Sequence, residues 1–234
     1  MKSFKKNTMR TILVLLLLNL FYSNATIAQE EVLRSGMLSS NENLIGITTG
    51  MDYSILPLTL SYQRGIDVNL KHPIRLGAEF TVPMFDFDLL DFRFKVLSEA
   101  TILRKNNFEI RGGMNLTLVH TKMQTESMTS IGADFDLFVG FTNDKWNVGL
   151  KARYNQVVTT FIKHTDKYRD NVFEGAVDGW YRSTASNLRI GVLLNYRIKK
   201  FDIHIEGGIS RTGTFQSYLF VPTIYGLVGV NFRF

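Results

Sequence analysis

The sequence predicts an all-β protein, an antiparallel up-and-down transmembrane β-barrel of about ten strands, with eight or twelve strands as the alternatives. Three observations predict this class: an apolar segment at the N-terminus, long stretches of alternating apolar and polar residues, and a chain that ends on an aromatic residue. Alternate side chains of a strand point to opposite faces of a sheet. A period of two therefore indicates strands with one apolar and one polar face.

The first 28 residues have the pattern of a secretory signal peptide. Four basic residues in "MKSFKKNTMR" precede the apolar run from Ile12 to Leu18, and small residues lead to a cleavage position that we place after Ala28. The run is much shorter than the roughly 20 residues that a membrane-spanning helix needs, and an uncleaved anchor helix is the alternative. We expect residues 29–43 to form a periplasmic segment and residues 44–234 to form the barrel.

Composition removes several other classes of protein. Loss of the signal peptide lowers the formal net charge from +6 to +2, because four basic residues leave with it, so nucleic-acid binding is not expected. The chain has no cysteine, which excludes disulfides, thiolate metal sites and a lipid-modified cysteine. Mean hydropathy is near zero, as expected for a barrel with one face toward lipid and the other toward a polar lumen.

Alternation defines the strands one by one. In "FEIRGGMNLTLV", Phe108, Ile110 and Leu116 share one face, while Glu109 and Arg111 share the other. The predicted strands run to about a dozen residues, longer than common soluble strands and long enough to cross a membrane at a tilt. They are 44–51, 56–65, 73–82, 91–103, 108–120, 131–141, 145–159, 187–198, 201–212 and 222–234.

The connections alternate in length. "RKNN", "TNDK" and "IKK" are tight turns, whereas "FDFD", "HTKMQTESMTS", "TGTFQSYLFV" and residues 161–186 are longer loops. Short turns at one rim and long loops at the other are typical of outer-membrane barrels, with both chain ends on the periplasmic side. Aromatic residues on the apolar face gather near the short turns and the chain end: Phe108, Phe141, Trp146, Tyr196, Phe201, Phe232 and Phe234.

A secreted soluble barrel of the lipocalin kind is the competing interpretation. It would place the apolar face inside, around an apolar ligand, and alternation alone does not distinguish inside from outside. The signal peptide, the strand length, the aromatic residues near the short turns and the terminal aromatic strand favour the membrane barrel.

The ending "GLVGVNFRF" resembles the C-terminal recognition signal of outer-membrane β-barrel proteins. Gly229, Phe232 and Phe234 match that pattern, and Leu227 departs from it at the polar position. The signal peptide ending "IAQE" resembles those of Bacteroidota, and the mature chain is similar in style to the small outer-membrane β-barrels of that group. The resemblance implies a Gram-negative cell envelope and insertion by the barrel-assembly machinery. It implies no activity.

With the apolar face outward, charged residues of both signs fill the lumen. They are Arg75, Glu79, Arg93, Lys95, Glu99, Glu109, Arg111, Asp134, Asp136, Lys151, Arg153, Arg189, Arg197, Asp202, His204 and Glu206. Side chains just fill a barrel of about eight strands, so we expect a largely plugged lumen and a structural or interaction role. The alternative is a narrow porin-like channel for small polar solutes.

Other candidate sites are weaker. Asp202, His204 and Glu206 alternate on one strand, which would suit a general base of a barrel-embedded hydrolase, but only Ser210 is a nearby nucleophile. Asp86, Asp88 and Asp91 are oxygen ligands for a conceivable calcium site. We expect no catalytic residue, metal or cofactor. Phe173, Val177, Trp180 and Tyr181 make residues 161–186 a possible contact surface for a protein partner, or a segment that packs on itself or on the membrane interface.

The terminal pattern gives a prediction about assembly. Deletion of Phe234 should leave the chain in the periplasm, because the final aromatic residue of the recognition pattern is lost. Membrane fractionation and immunoblotting measure this, with Phe234→Tyr as the control that keeps an aromatic end. Normal insertion of the shortened chain would mean that the terminal pattern is incidental.

Overall fold

The fold is given by a computed structural model. It describes residues 41–51, 55–68, 72–84, 90–182, 185–212 and 224–234. The predicted signal peptide, most of the segment 29–43, Asp86 and Asp88, and most of the "TGTFQSYLFV" loop lie outside the described residues.

The described residues contain eleven strands and one short helix. The strands are β1 (Asn43–Met51), β2 (Ile55–Ile66), β3 (Ile74–Pro83), β4 (Phe92–Lys105), β5 (Phe108–Lys122), β6 (Glu126–Thr142), β7 (Trp146–His164), β8 (Gly179–Arg182), β9 (Ser186–Ile198), β10 (Phe201–Thr212) and β11 (Ile224–Arg233). The helix α1 is Asp166–Asn171. All strands except β8 form one antiparallel ring in chain order. Strand β8 pairs with residues 159–162, near the C-terminal end of β7. The predicted ten-stranded up-and-down barrel is confirmed.

Pairing of the first and last strands closes the ring. Leu44 lies opposite Arg233, and the register continues to Met51 opposite Gly226. Backbone hydrogen bonds join Asn43 and Phe234 in both directions, at 3.0 and 3.1 Å between nitrogen and oxygen. The seam is therefore paired up to the last residue, which leaves no open sheet edge there.

The strands are staggered around the ring. Following paired residues from Thr142 on β6 around the barrel leads back to β6 at Ser130, twelve residues away. Such a stagger goes with strands tilted by about 35–45° from the barrel axis. A row of paired residues, called here the climbing row, therefore rises along the barrel axis as it passes from strand to strand around the ring. This row consists of Thr142, Asn147, Asn195, His204, Gly229, Thr48, Thr59, Thr81, Arg93, Val119 and Ser130.

Apolar side chains lie on the outside of the barrel and charged side chains lie inside, the reverse of the arrangement in a soluble protein. Leu116 and Leu150 on the outer face are 58% and 61% exposed, as part of an apolar surface that continues around the ring. Inside, Lys95, Glu109 and Asp134 are 2% exposed or less. Soluble proteins almost never bury charged residues in this way unless they are paired.

Turns of two or three residues join β4 to β5, β6 to β7 and β9 to β10 at one rim, called here the short-turn rim, where residues 67–73 also join β2 to β3. Asn106 and Asn107 join β4 to β5, and Lys199 and Lys200 join β9 to β10. Asn106 has a φ of 53°, a left-handed conformation that asparagine tolerates better than most residues. Aromatic rings pack on the outside of this rim, with centroids 5.8 Å apart for Phe108 and Phe141 and 5.3 Å apart for Phe201 and Phe232.

The opposite, long-loop rim carries a projection where the sequence predicted loops. The predicted loop at 120–130 is wrong, because β5 continues to Lys122 and β6 begins at Glu126. Residues 161–186 are likewise not one loop: β7 runs to His164, and α1 and β8 follow. We call residues 157–182 together with 122–131 the projection. Beyond Gln156, β7 has left β9 and pairs with β6 and β8.

No helix within the described ranges is both long and apolar enough to cross a membrane.

The outward position of Leu116 gives a stability prediction. Leu116→Arg should lower the free energy of unfolding by roughly 2–4 kcal/mol, because in the predicted transmembrane barrel this outward cation would face mid-bilayer lipid. Urea unfolding of the barrel refolded into vesicles, followed by tryptophan fluorescence, measures it. Leu116→Met is the control and should change little. Full tolerance of arginine would reverse the assignment of inner and outer faces.

Candidate functional site: the barrel lumen

The candidate site is the lumen, where inward-facing residues of ten strands meet. The inward positions follow from the period of two, and the stagger decides which of them come into contact. The structure brings most of the charged residues named from the sequence into ion pairs that link neighbouring and next-neighbouring strands. These pairs form three groups along the wall and a fourth at the short-turn rim.

The first group is the most deeply buried. Lys95 of β4 and Asp134 of β6 form an ion pair that passes over β5, and the side-chain amide of Asn155 also donates to Asp134. Asp134 is 0% exposed and Lys95 is 2% exposed. A charge this buried needs both a partner and further hydrogen bonds, and Asp134 has both.

The second group links β7 to β6 on one side and to β10 on the other. The Nε of Arg153 donates to Asp136 at 2.6 Å, and the amide of Asn115 donates to the other oxygen of Asp136 at 2.5 Å. Lys151 reaches over β9 to Glu206 of β10, with 2.7 Å between Nζ and Oε2. The hydroxyl of Tyr225 donates to the other oxygen of Glu206 at 3.1 Å.

The third group lies closer to the short-turn rim. Glu99 accepts from Arg111 at 3.2 Å and pairs with Arg75 at 3.4 Å. The guanidinium of Arg111 also stacks 4.2 Å above the ring of Phe138. Glu109, which is 0% exposed, accepts from the hydroxyls of Thr101 and Thr142 at 3.1 and 2.8 Å.

At the short-turn rim, Asp202 of β10 links its two neighbouring strands. Arg197 of β9 and Arg233 of β11 pair with its two oxygens at 3.1 and 2.5 Å. Arg233 also pairs with Glu42 at 3.1 Å, which holds the residue before β1 against the seam. The last positions of the barrel are therefore joined by side chains as well as by backbone.

The predicted trio of Asp202, His204 and Glu206 does not assemble as an acid–base unit. Both carboxylates are held by cations, as described above. The ring of His204 instead contacts Thr48 Oγ1 through Nε2 at 3.1 Å and the amide nitrogen of Asn231 through Nδ1 at 3.3 Å. Ser210 donates to Asn187 at 2.9 Å, higher on the wall.

Gly229 has a packing role in this region. It lies on β11 between Thr48 of β1 and His204 of β10. A Cβ at this position would come within 2.5 Å of Thr48 Oγ1 and 2.6 Å of His204 Nε2. The hydrogen bond between those two side chains therefore passes over a glycine. The role of Gly229, Phe232 and Phe234 in assembly stays a prediction.

A cavity of about 170 Å³ remains among these side chains. All ten strands of the ring line it, from Leu44 and Arg233 near the short-turn rim to Pro57 and Arg93 near the long-loop rim. Of the charged residues predicted to face the lumen, Arg75, Glu79, Arg93, Glu99, Arg111, Lys151, Arg153, Asp202, His204 and Glu206 contribute to the lining, whereas Lys95, Glu109, Asp134, Asp136, Arg189 and Arg197 do not.

Sequence analysis missed the neutral polar residues that complete the lumen. Asn115, Asn155 and Tyr225 each donate to a buried carboxylate. Their positions in the strands could have identified them as lumen residues. Each lies an even number of residues from a charged inward residue of its own strand, or directly opposite one on the next strand. Their side-chain type alone does not separate them from surface residues.

A second polar cluster lies on the projection. The backbone N–H of His164 donates to Asp178 at 2.8 Å, and the side chains of His164 and Arg169 contact the same oxygen at 3.1 and 2.7 Å. These hydrogen bonds, the backbone one first, lower the pKa of Asp178 to about 2. They fix the chain after α1 against the top of β7.

The described residues contain no group of three or more histidine or acidic side chains arranged to hold a metal ion. Asp91 is the one member of the conceivable calcium site within the described residues.

No protein family model and no curated protein matches the chain. Among the solved structures that match it, one described as a KdgM porin has 12% sequence identity and a TM-score of 0.42, with 82% of this chain and 99% of that chain covered. The fold described here rests on the strand pairing alone.

The buried pair in the first group gives a stability prediction. Asp134→Leu should lower the free energy of unfolding by about 3–5 kcal/mol, because it leaves the Lys95 charge buried without its partner. Lys95→Met should also destabilise, but the double variant should recover most of the loss. Urea unfolding in vesicles tests the cycle. Additive losses in the double variant would show that the pair is not a coupled unit.

Proposed function

We propose that this chain is an integral outer-membrane β-barrel of a Gram-negative cell envelope, with both termini on the periplasmic side and a structural or interaction role. The continuous apolar outer surface and the aromatic rings at the short-turn rim support contact with outer-membrane lipid. The barrel-assembly machinery is the proposed route of insertion. The short-turn rim would face the periplasm, and the projection would face outward.

One observation supports the interaction role rather than ion conduction: the charges of the lumen are paired with one another. Lys95, Asp134 and Glu206 are no more than 6% exposed and each has an oppositely charged partner. Opening a wide path through them would require buried charges to separate, which is costly in a low-dielectric interior. A lumen held in this way favours action through the outer surfaces.

The projection supplies the proposed partner surface. Val172, Phe173, Val177 and Trp180 are 59–67% exposed, although Trp180 also packs on Phe161 with ring centroids 5.4 Å apart. These residues follow the last pairing of β7 with β9, which places them beyond the ring of the barrel. Exposed apolar residues grouped in this way are a common feature of protein contact sites.

The second candidate is a narrow porin-like channel, and the cavity favours it. The cavity is lined from one rim to the other, so a modest rearrangement would connect its ends. For the third possibility, a hydrolase, support is weak, because the histidine and the carboxylates of the trio bind other partners. We therefore propose a non-enzymatic role.

Planar bilayer recording separates the first two candidates. The purified, folded protein should give no discrete current steps in potassium chloride, because paired side chains occupy the lumen. Heat-modifiable migration in gels verifies that the protein is folded. The positive control is the double variant Lys151→Ala with Glu206→Ala, which removes a pair beside the cavity and should give measurable current. Reproducible steps from the natural chain would favour the channel.

A further inference from the structure

The climbing row of paired residues contains a run without any acidic, lysine or arginine side chain. From the short-turn rim upward its side chains belong to Asn147, Asn195, His204, Thr48, Thr59 and Thr81, and Gly229 lies between His204 and Thr48. Asn147 is the second residue of β7, next to the short-turn rim, and Thr81 is two residues from the upper end of β3. We call these six residues the neutral track.

The cavity follows the neutral track. Five of its six residues line the cavity, Thr81 being the exception, and so do the neighbouring inward residues Ser61, Gln63 and Asn231. Most of the charged residues that also face the cavity are bound in pairs, such as Glu99 with Arg75 and Lys151 with Glu206. The cavity therefore offers neutral hydrogen-bonding groups along the track, beside charged groups most of which already have partners.

The lower end of the track has amide groups without partners. Asn147 is 1% exposed, and neither its amide nitrogen nor its oxygen has a hydrogen-bond partner among the described residues. Within the same residues, the side-chain oxygen of Asn195, directly opposite, also has none. Buried amides are rarely left unsatisfied, so these atoms need water or a polar solute in the cavity that they line.

His204 fits the neutral character of the track. An amide N–H of Asn231 that donates to Nδ1 leaves the imidazole to donate from Nε2 to the Thr48 hydroxyl, which is the pattern of a neutral ring. The middle of the track thus alternates donors and acceptors without a formal charge.

We propose that the neutral track is a path for water and small uncharged polar solutes of the size of urea or glycerol. This inference rests on the proposed membrane location of the barrel and names the solute class for its lumen. Solutes that carry hydrogen-bonding groups exchange water for the hydroxyl and amide groups of the track. Ions gain no such compensation, because most of the charged groups beside the track are already paired with one another.

Shrinkage of vesicles that contain the folded protein, measured by light scattering in a glycerol gradient, tests the proposal. We expect glycerol to enter faster than in protein-free vesicles, with potassium chloride excluded. The double variant Thr48→Val with Thr59→Val keeps side-chain volume but removes two hydroxyls, so glycerol entry should fall about tenfold. The matched variant Thr48→Ser with Thr59→Ser should retain it. Ile47→Val with Leu60→Val, on the outer face, is the second control.

Several results would overturn the inference. They are glycerol entry no faster than in protein-free vesicles, equal passage of salt, or a valine variant that behaves like the natural chain. If the valine variant does not fold, Asn195→Leu replaces it, with Leu194→Val as its outer-face control. Flotation of the protein with vesicles is measured first, because failure to insert would count against the proposed function itself rather than against the track alone.

Discussion

Satisfaction of the backbone hydrogen bonds is the constraint on which this structure depends. A strand placed in hydrocarbon has no water for its N–H and C=O groups, so the sheet must close. Here closure is made by β1 and β11, and it extends to the bonds between Asn43 and Phe234.

The closure of the ring with staggered strands then determines which side chains meet in the lumen. Tilted strands bring together residues that are far apart in the chain, such as Lys95 with Asp134 and Lys151 with Glu206. Each pair bridges two strands that are not themselves neighbours, with one strand between them. The ion pairs thus brace the ring across its strands, in addition to the backbone ladder, and they explain how a barrel can keep a charged interior. The same stagger converts one register row into the rising neutral track.

The sequence was sufficient for the ring but not for its interior contacts. Alternation placed all ten barrel strands, because an apolar outer face and a polar lumen require opposite residue types at successive positions. It failed for residues 120–130 and 161–186, where β5, β6 and β7 continue past the ring and no longer separate an apolar outside from a polar lumen. The partner of Asp134 was equally inaccessible, because choosing Lys95 requires the stagger, and the stagger depends on registers that include a bulge at residues 101–103.

The two walls of the lumen show how one interior can combine rigidity with space. Long charged side chains on β4 to β7 reach toward one another and fill their side of the barrel, as Arg153 does with Asp136. On β1 and β2, short residues such as Thr48, Thr59 and Ser61 line the cavity. Gly229 of β11 acts differently, because its missing side chain lets Thr48 and His204 approach each other across it. Side-chain size at these positions therefore sets how much space remains beside the ion pairs.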